Sequence, residues 1–280
     1  MTDPFEEVAP DFARRFGGLA RLYGAAGAAR IRASHVVVVG LGGVGSWAAE
    51  AAARSGVSRL TLVDLDHIAE SNINRQVHAL DDTLGKAKVQ AMRERIGHIN
   101  PECNVDCIED FVDADNWPQI ALRAAESGGR PLAVIDACDQ VKAKTAMAAW
   151  ALKTRSTFIS VGAAGGKRLA HRVDIDDLSL VTHDPLLAQM RYRLRKAHGA
   201  SRVGKMNVAC VFSREAVAQS SGMDDVQKVS TGADVEAAQC PVPPKQSDGS
   251  LNCHGYGSVV GVTSTFGMCA ANWILNKIAS

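Results

Sequence analysis

The sequence has no Cys-x-x-Cys pair, and its seven cysteines stand scattered at 103, 107, 138, 210, 240, 253 and 269. That spacing argues against a zinc ribbon and a thioredoxin-type dithiol. An odd cysteine count without a secretion signal argues against a disulfide framework and points to the reducing cytoplasm. An excess of one charge is also missing: 31 Lys and Arg against 30 Asp and Glu leave a formal net charge of +1 over 280 residues. Any nucleic-acid contact must then come from a local patch, not from a general basic field. There is no internal repeat. The one long apolar run is 257–275 (GSVVGVTSTFGMCAANWIL), broken by Ser258, Thr263, Ser264, Thr265, Asn272 and three glycines. That composition predicts a buried or dimer-facing helix rather than a membrane span, although a hydropathy profile comes close to one.

What is present is an alternation of short apolar runs with helical stretches. HVVVV at 35–39 is a β-branched run of the kind that forms a buried parallel strand. Further strands are expected at 60–63, 104–108, 132–135 and 157–161, with a candidate at 208–212. Helices are expected at 46–54, 86–99, 117–126, 142–154 and 185–198. Such alternation requires right-handed crossovers. The fold class predicted is α/β, a Rossmann-like, doubly wound, mostly parallel sheet with an irregular C-terminal extension. The expected division is an arm and helix at 1–34, a nucleotide-binding domain at 35–182 and an extension at 183–280. The extension holds a basic helix, a Ser-, Gly- and Pro-rich loop at 219–255 and the apolar C-terminal helix.

GLGGVG at 40–45 follows the first strand and opens a helix. Glycines there let the backbone approach a phosphate, and the helix N-terminus supplies N–H donors. Asp64 ends the next strand, where a carboxylate can accept ribose hydroxyls. That pair fits a nicotinamide dehydrogenase as well. The residues after Asp64 separate the two readings. An enzyme that splits ATP between the α and β phosphates must stabilise charge growing on pyrophosphate, and it needs cations and a metal-binding carboxylate. Arg75 in NINRQ and Lys88 in GKAK supply the cations; Asp139 in DACD, just past the fourth strand, supplies the carboxylate. Singly, Arg75 and Lys88 also fit solvated helix-face charges, and Asp136 fits a helix cap.

In order, GLGGVG, DLD, NINRQ, GKAK, INP and DACD resemble the adenylation domain of the ThiF/MoeB and ubiquitin-activating superfamily. RFGGLARLYG, VGAAGGK, DPL and VFSREA extend the resemblance, over nearly the whole chain, to the branch that acts on threonylcarbamoyladenosine in tRNA. The resemblance implies an ATP- and Mg2+-dependent homodimer that adenylates the threonyl carboxylate, releases pyrophosphate and closes a ring with net loss of water. It places Gly40, Gly42 and Gly43 on phosphate, Asp64 on ribose, Asp66 and Asn72 in the nucleotide pocket, Arg75 and Lys88 on the triphosphate, and Asp139 on magnesium. It leaves open a monovalent cation (Na+ or K+) in the turn at 162–166 and a sulfur-transfer protein as partner. The arm departs from sulfur-carrier enzymes: Gly18 stands where they carry an arginine that reaches the partner subunit's ATP.

The alternative is an activating enzyme for a ubiquitin-like or sulfur-carrier protein, with a cysteine taking the acyl group. Cys253, beside His254, is the candidate thiol, and an incidental loop cysteine is the plainer reading. Cys138 reads as packing. For tRNA, the run 191–205 holds Arg191, Arg193, Arg195, Lys196, Arg202 and Lys205 with no acid, and Tyr192 could stack on a base. A solvated helix end accounts for the same charges.

Overall fold

The computed structural model describes residues 11–128, 132–218 and 256–280. β1 (His35–Val39) is wholly buried at the centre of a seven-stranded sheet. β2 (Arg59–Val63) and β3 (Asn104–Ile108) follow on one side, and β4 (Leu132–Asp136) and β5 (Thr157–Val161) on the other, all parallel. β7 (Ala209–Ser213) extends the sheet in parallel beyond β5, and β6 (Val173–Asp177) closes that edge antiparallel to β7. The strand order β3-β2-β1-β4-β5-β7-β6 reverses direction between β1 and β4. Ligands bind at such a switch point, beyond the carboxyl ends of the strands.

The expected elements through β5 occur within two residues of their predicted limits. β6 is the exception. Its sequence VDIDD was not expected as a strand, and all five of its residues are half-buried. Acidic side chains suit an edge strand, where they discourage pairing with a second sheet.

Helices α3 (Gly45–Arg54) and α4 (Lys88–Ile99) cover one face, and α5 (Trp117–Glu126), α6 (Val141–Thr154) and α7 (Pro185–Ala197) the other. At the N-terminal side, α1 (Phe12–Phe16) and α2 (Gly18–Ala33) lead into β1. The apolar run near the C-terminus forms α8 (Val260–Ala279), which is buried along Val262, Phe266, Ala270, Ile274 and Ile278. It lies against the alanine face of α3, and Gly267 is the point of closest approach. A Cβ there would stand 2.3 Å from the Val44 carbonyl oxygen and 2.9 Å from the Ala48 nitrogen. Among the described residues no helix is long and apolar enough to cross a membrane. The sheet does not stop at 182: residues past that point supply β7, the parallel neighbour of β5 on the side away from β4, and α8, which seals the core beside α3.

Candidate active site

The glycine-rich turn joins β1 to α3 at the switch point. Gly40 has φ +86°, and a Cβ on it would come within 2.9 Å of the Ala137 oxygen and the Cys138 nitrogen. Glycine is therefore required both by the backbone conformation and by the chain crossing above β4. Nothing lies within 4 Å of where a Cβ of Gly42 would be, so that side of the turn is open to a ligand. α3 starts at this turn, and the unpaired N–H groups of a helix's first turn favour an anion.

Asp64, at the end of β2, braces this turn. Its two oxygens accept the Leu41 N–H at 2.5 Å and the Asp66 N–H at 2.8 Å. Burial pushes its carboxyl above the usual range, and Lys88 opposes that shift. A carboxylate oxygen has two lone pairs, so both oxygens can also accept ribose hydroxyls. Lys88 is buried, and its ammonium lies 2.7 Å from Asp66 and 3.9 Å from Asp64. Asp66 itself is exposed.

Arg75 lies across the glycine turn: its Cγ and Cδ would be 3.1 and 3.2 Å from a Cβ of Gly43. Its guanidinium donates to the Ser71 carbonyl at 2.6 Å and to Asn74 Oδ1 at 2.9 Å, and the Trp47 indole donates to its carbonyl at 3.0 Å. The half-buried Asn72 bonds locally, its side-chain oxygen accepting the Ala69 N–H at 3.1 Å. The fold thus gathers Gly40, Gly42, Gly43, Asp64, Asp66, Arg75 and Lys88 in one place, with Asn72 building the turn that carries Arg75. Asp139 is half-buried in the turn between β4 and α6. Among the described residues no cluster of three or more His, Cys, Asp or Glu could hold a metal. A single carboxylate fits magnesium, which is held by one or two carboxylates together with substrate phosphates.

Beneath Asp139 lies a brace that the sequence did not reveal. Asp136 and Lys144 are both fully buried, 3.0 Å apart. Ser160 donates to the other Asp136 oxygen at 2.6 Å, and the Cys138 thiol lies 3.1 Å from the first. Burial draws the Lys144 ammonium down, but Asp136 more than offsets this and holds it above its ordinary value. Burial and Asp136 together push the Cys138 thiol well up. The geometry fits a thiol packed against Asp136. The one signal in the sequence was a lysine on the apolar face of α6, among Val141, Ala143, Met147 and Ala148.

The basic run divides. Arg191 is half-buried and donates to the Leu178 and Val181 carbonyls at 3.0 and 2.9 Å, and Arg195 donates to the Ser201 carbonyl at 3.1 Å. Arg193, Lys196, Arg202 and Lys205 are exposed, and the Lys196 ammonium stands 5.7 Å from the centre of the exposed Tyr192 ring. Cys253 lies outside the described residues. A cavity of about 620 Å³ between the N-terminal arm and α4 is lined by Arg15, Arg54, His78 and Arg95. None of the residues gathered at the glycine-rich turn lines it.

A phosphate turn at the sheet's switch point, with Arg75 across it and an acidic turn facing it, defines a nucleotide-binding adenylation domain. The chain belongs to the ThiF family, whose model matches residues 14–276. It is 40% identical to the tRNA threonylcarbamoyladenosine dehydratase of Escherichia coli K12, over 95% of this chain and 93% of that protein. The enzyme of the same name from Haemophilus influenzae is 38% identical over 96% of this chain and 94% of its own length. The crystal structure of the E. coli tRNA N6-threonylcarbamoyladenosine dehydratase in complex with ATP superposes with a TM-score of 0.78 at 37% identity. It covers 95% of this chain and 94% of that one.

Proposed function

We propose that this protein uses ATP to dehydrate threonylcarbamoyladenosine in tRNA to its cyclic form. The observation that carries the reading is the near full-length likeness to enzymes of that name, joined to a phosphate turn with Arg75 lying across it. A threonyl carboxylate oxygen attacks the α-phosphorus of ATP and pyrophosphate leaves. An atom of the tethered carbamoyl group then attacks the acyl carbon, and AMP departs with the carboxylate oxygen, so the net loss is one water. The second step is intramolecular and draws on a high effective concentration.

Within this reading Gly40, Gly42 and Gly43 receive phosphates, Asp64 takes the ribose, and Arg75 and Lys88 neutralise the departing pyrophosphate. Asp66 and Asp64 keep the Lys88 ammonium at the carboxyl end of β2, on the side of the glycine-rich turn. Asp139 would hold Mg2+, whose charge would offset that of the phosphates. Arg193, Lys196, Arg202 and Lys205 form the tRNA-facing strip. The working enzyme is a cytoplasmic homodimer, a reading supported by the resemblance and by exposed Leu22 and Met268 on α2 and α8. A sulfur-transfer protein is a further candidate partner.

The test is mass spectrometry of nucleosides from tRNA carrying the modification, incubated with the protein and ATP. The expected product is one water lighter than its precursor and forms only with ATP. If the nucleoside is unchanged while a carrier-protein C-terminus is adenylated, the activating-enzyme alternative replaces this one.

A further inference from the structure

A buried lysine needs partners to offset its desolvation, and Lys167, at the end of the glycine-rich turn after β5, is only 2% exposed. Its ammonium donates to two main-chain carbonyls from separate segments. One is the His183 oxygen at 3.0 Å, in the connection between β6 and α7; the other is the Glu215 oxygen, just past β7. His183 adopts a left-handed φ of +56°, so its backbone departs from the ordinary regions of conformation where it meets the ammonium.

Carboxylates grip the same turn at both ends. Buried Asp184 accepts the Ala163 and Leu187 N–H groups, each at 2.9 Å. The Glu215 side chain accepts the Arg168 and Leu169 N–H groups at 3.0 and 2.9 Å. Main-chain carbonyls with carboxylates close by are the ligands that hard cations take. Here two carbonyls bind an ammonium, a compact positive charge with three donors, while the carboxylates brace the turn that carries it.

The resemblance leaves room for Na+ or K+ at 162–166. A separate ion does not fit beside Lys167, because its ammonium already takes the His183 and Glu215 carbonyls and a second cation next to it would be repelled in a poorly solvated place. We propose that Lys167 is this protein's built-in monovalent cation, a positioning residue that ties the turns after β5 and β7 to the start of α7 without Na+ or K+. The tie bears on the adenylation proposed above because the 162–167 turn neighbours the Asp139 turn, β5 being paired with β4. The thermal measurement below does not depend on that reading.

The experiment compares wild type, Lys167→Ala and Lys167→Gln in KCl, NaCl, NH4Cl and choline chloride at equal ionic strength. It records the thermal midpoint and the ATP-dependent release of pyrophosphate. Wild type is expected to melt and turn over alike in all four salts. The variants are expected to melt lower in choline and to recover about 5 °C in KCl or NH4Cl, saturably, as a ligand does that binds only the folded state. Pyrophosphate release should recover in parallel. A wild type that needs K+ or Na+ overturns the proposal. So do variants whose midpoints ignore the cation, or variants that fail to fold in every salt.

Discussion

Arg75 is the side chain best prepared for its task, because the Ser71 carbonyl and Asn74 hold its guanidinium and the Trp47 indole holds its main-chain carbonyl. Preorganised donors aimed at developing charge act mainly in the transition state. Arg75→Ala should lower kcat for pyrophosphate release about 100-fold while ATP still binds through Asp64. Near-normal turnover would remove Arg75 from the chemistry. Asp139→Asn should leave the melting curve in place and abolish magnesium-dependent pyrophosphate release, because an amide cannot neutralise the ion. Normal release at low magnesium would reassign the ligand. Ring closure within one substrate needs no thioester, so Cys253→Ser should keep most of its activity in the nucleoside assay. Complete loss in a folded variant would revive the acyl-thioester route. At this scale the sequence made Gly40, Asp64, Arg75 and Lys88 legible, because each is fixed by a short motif at the end of a strand. Lys144, Ser160 and Lys167 were not legible, because Lys144 and Ser160 meet on Asp136 at the end of β4 and Lys167 meets carbonyls of two distant connections, and only the fold brings these together.

Among the elements, α7 decides what the basic run can do. Its C-terminal half spends Arg191 and Arg195 on nearby carbonyls, which leaves Arg193, Lys196, Arg202 and Lys205 facing outward. Replacing those four with alanine should weaken tRNA binding and flatten its dependence on salt, since each phosphate contact releases counterions. Filter-binding titrations at several salt concentrations read this directly, and superimposable curves would send the search to the arginines of α1 and α2. α8 supports the phosphate turn from below. Gly267→Val would force its side chain into the Val44 carbonyl, lower stability by about 1–3 kcal/mol and shift the start of α3, weakening ATP affinity as well. Urea unfolding and nucleotide titration of that variant give the two readouts. The strands were legible as β-branched runs, but β6 was not: VDIDD is an edge strand that lacks the apolar pattern buried strands need.

For the whole molecule, acid is the expected weakness. His35 and His78 are buried, and burial, helped by Arg59 and by Lys88 and Arg95 respectively, pushes each down to about 4. In the unfolded chain both would take up protons near pH 6.5. The stability tied to their neutral forms is complete above that pH and is lost as pH falls toward 4, on the order of 3 kcal/mol for each. The thermal midpoint should fall steeply between those limits, and His78→Gln should soften the slope. An unchanged midpoint across that window would mean that neither imidazole is buried as described. The pairing of α3 with α8 also sets a timetable. The ribosome releases α3 early and α8 only after every strand, about 200 residues later, which at roughly 5–20 residues per second is on the order of ten seconds or more. Throughout that interval the alanine face behind the phosphate turn has no cover, so a nascent chain can display the whole nucleotide motif before it can hold a nucleotide.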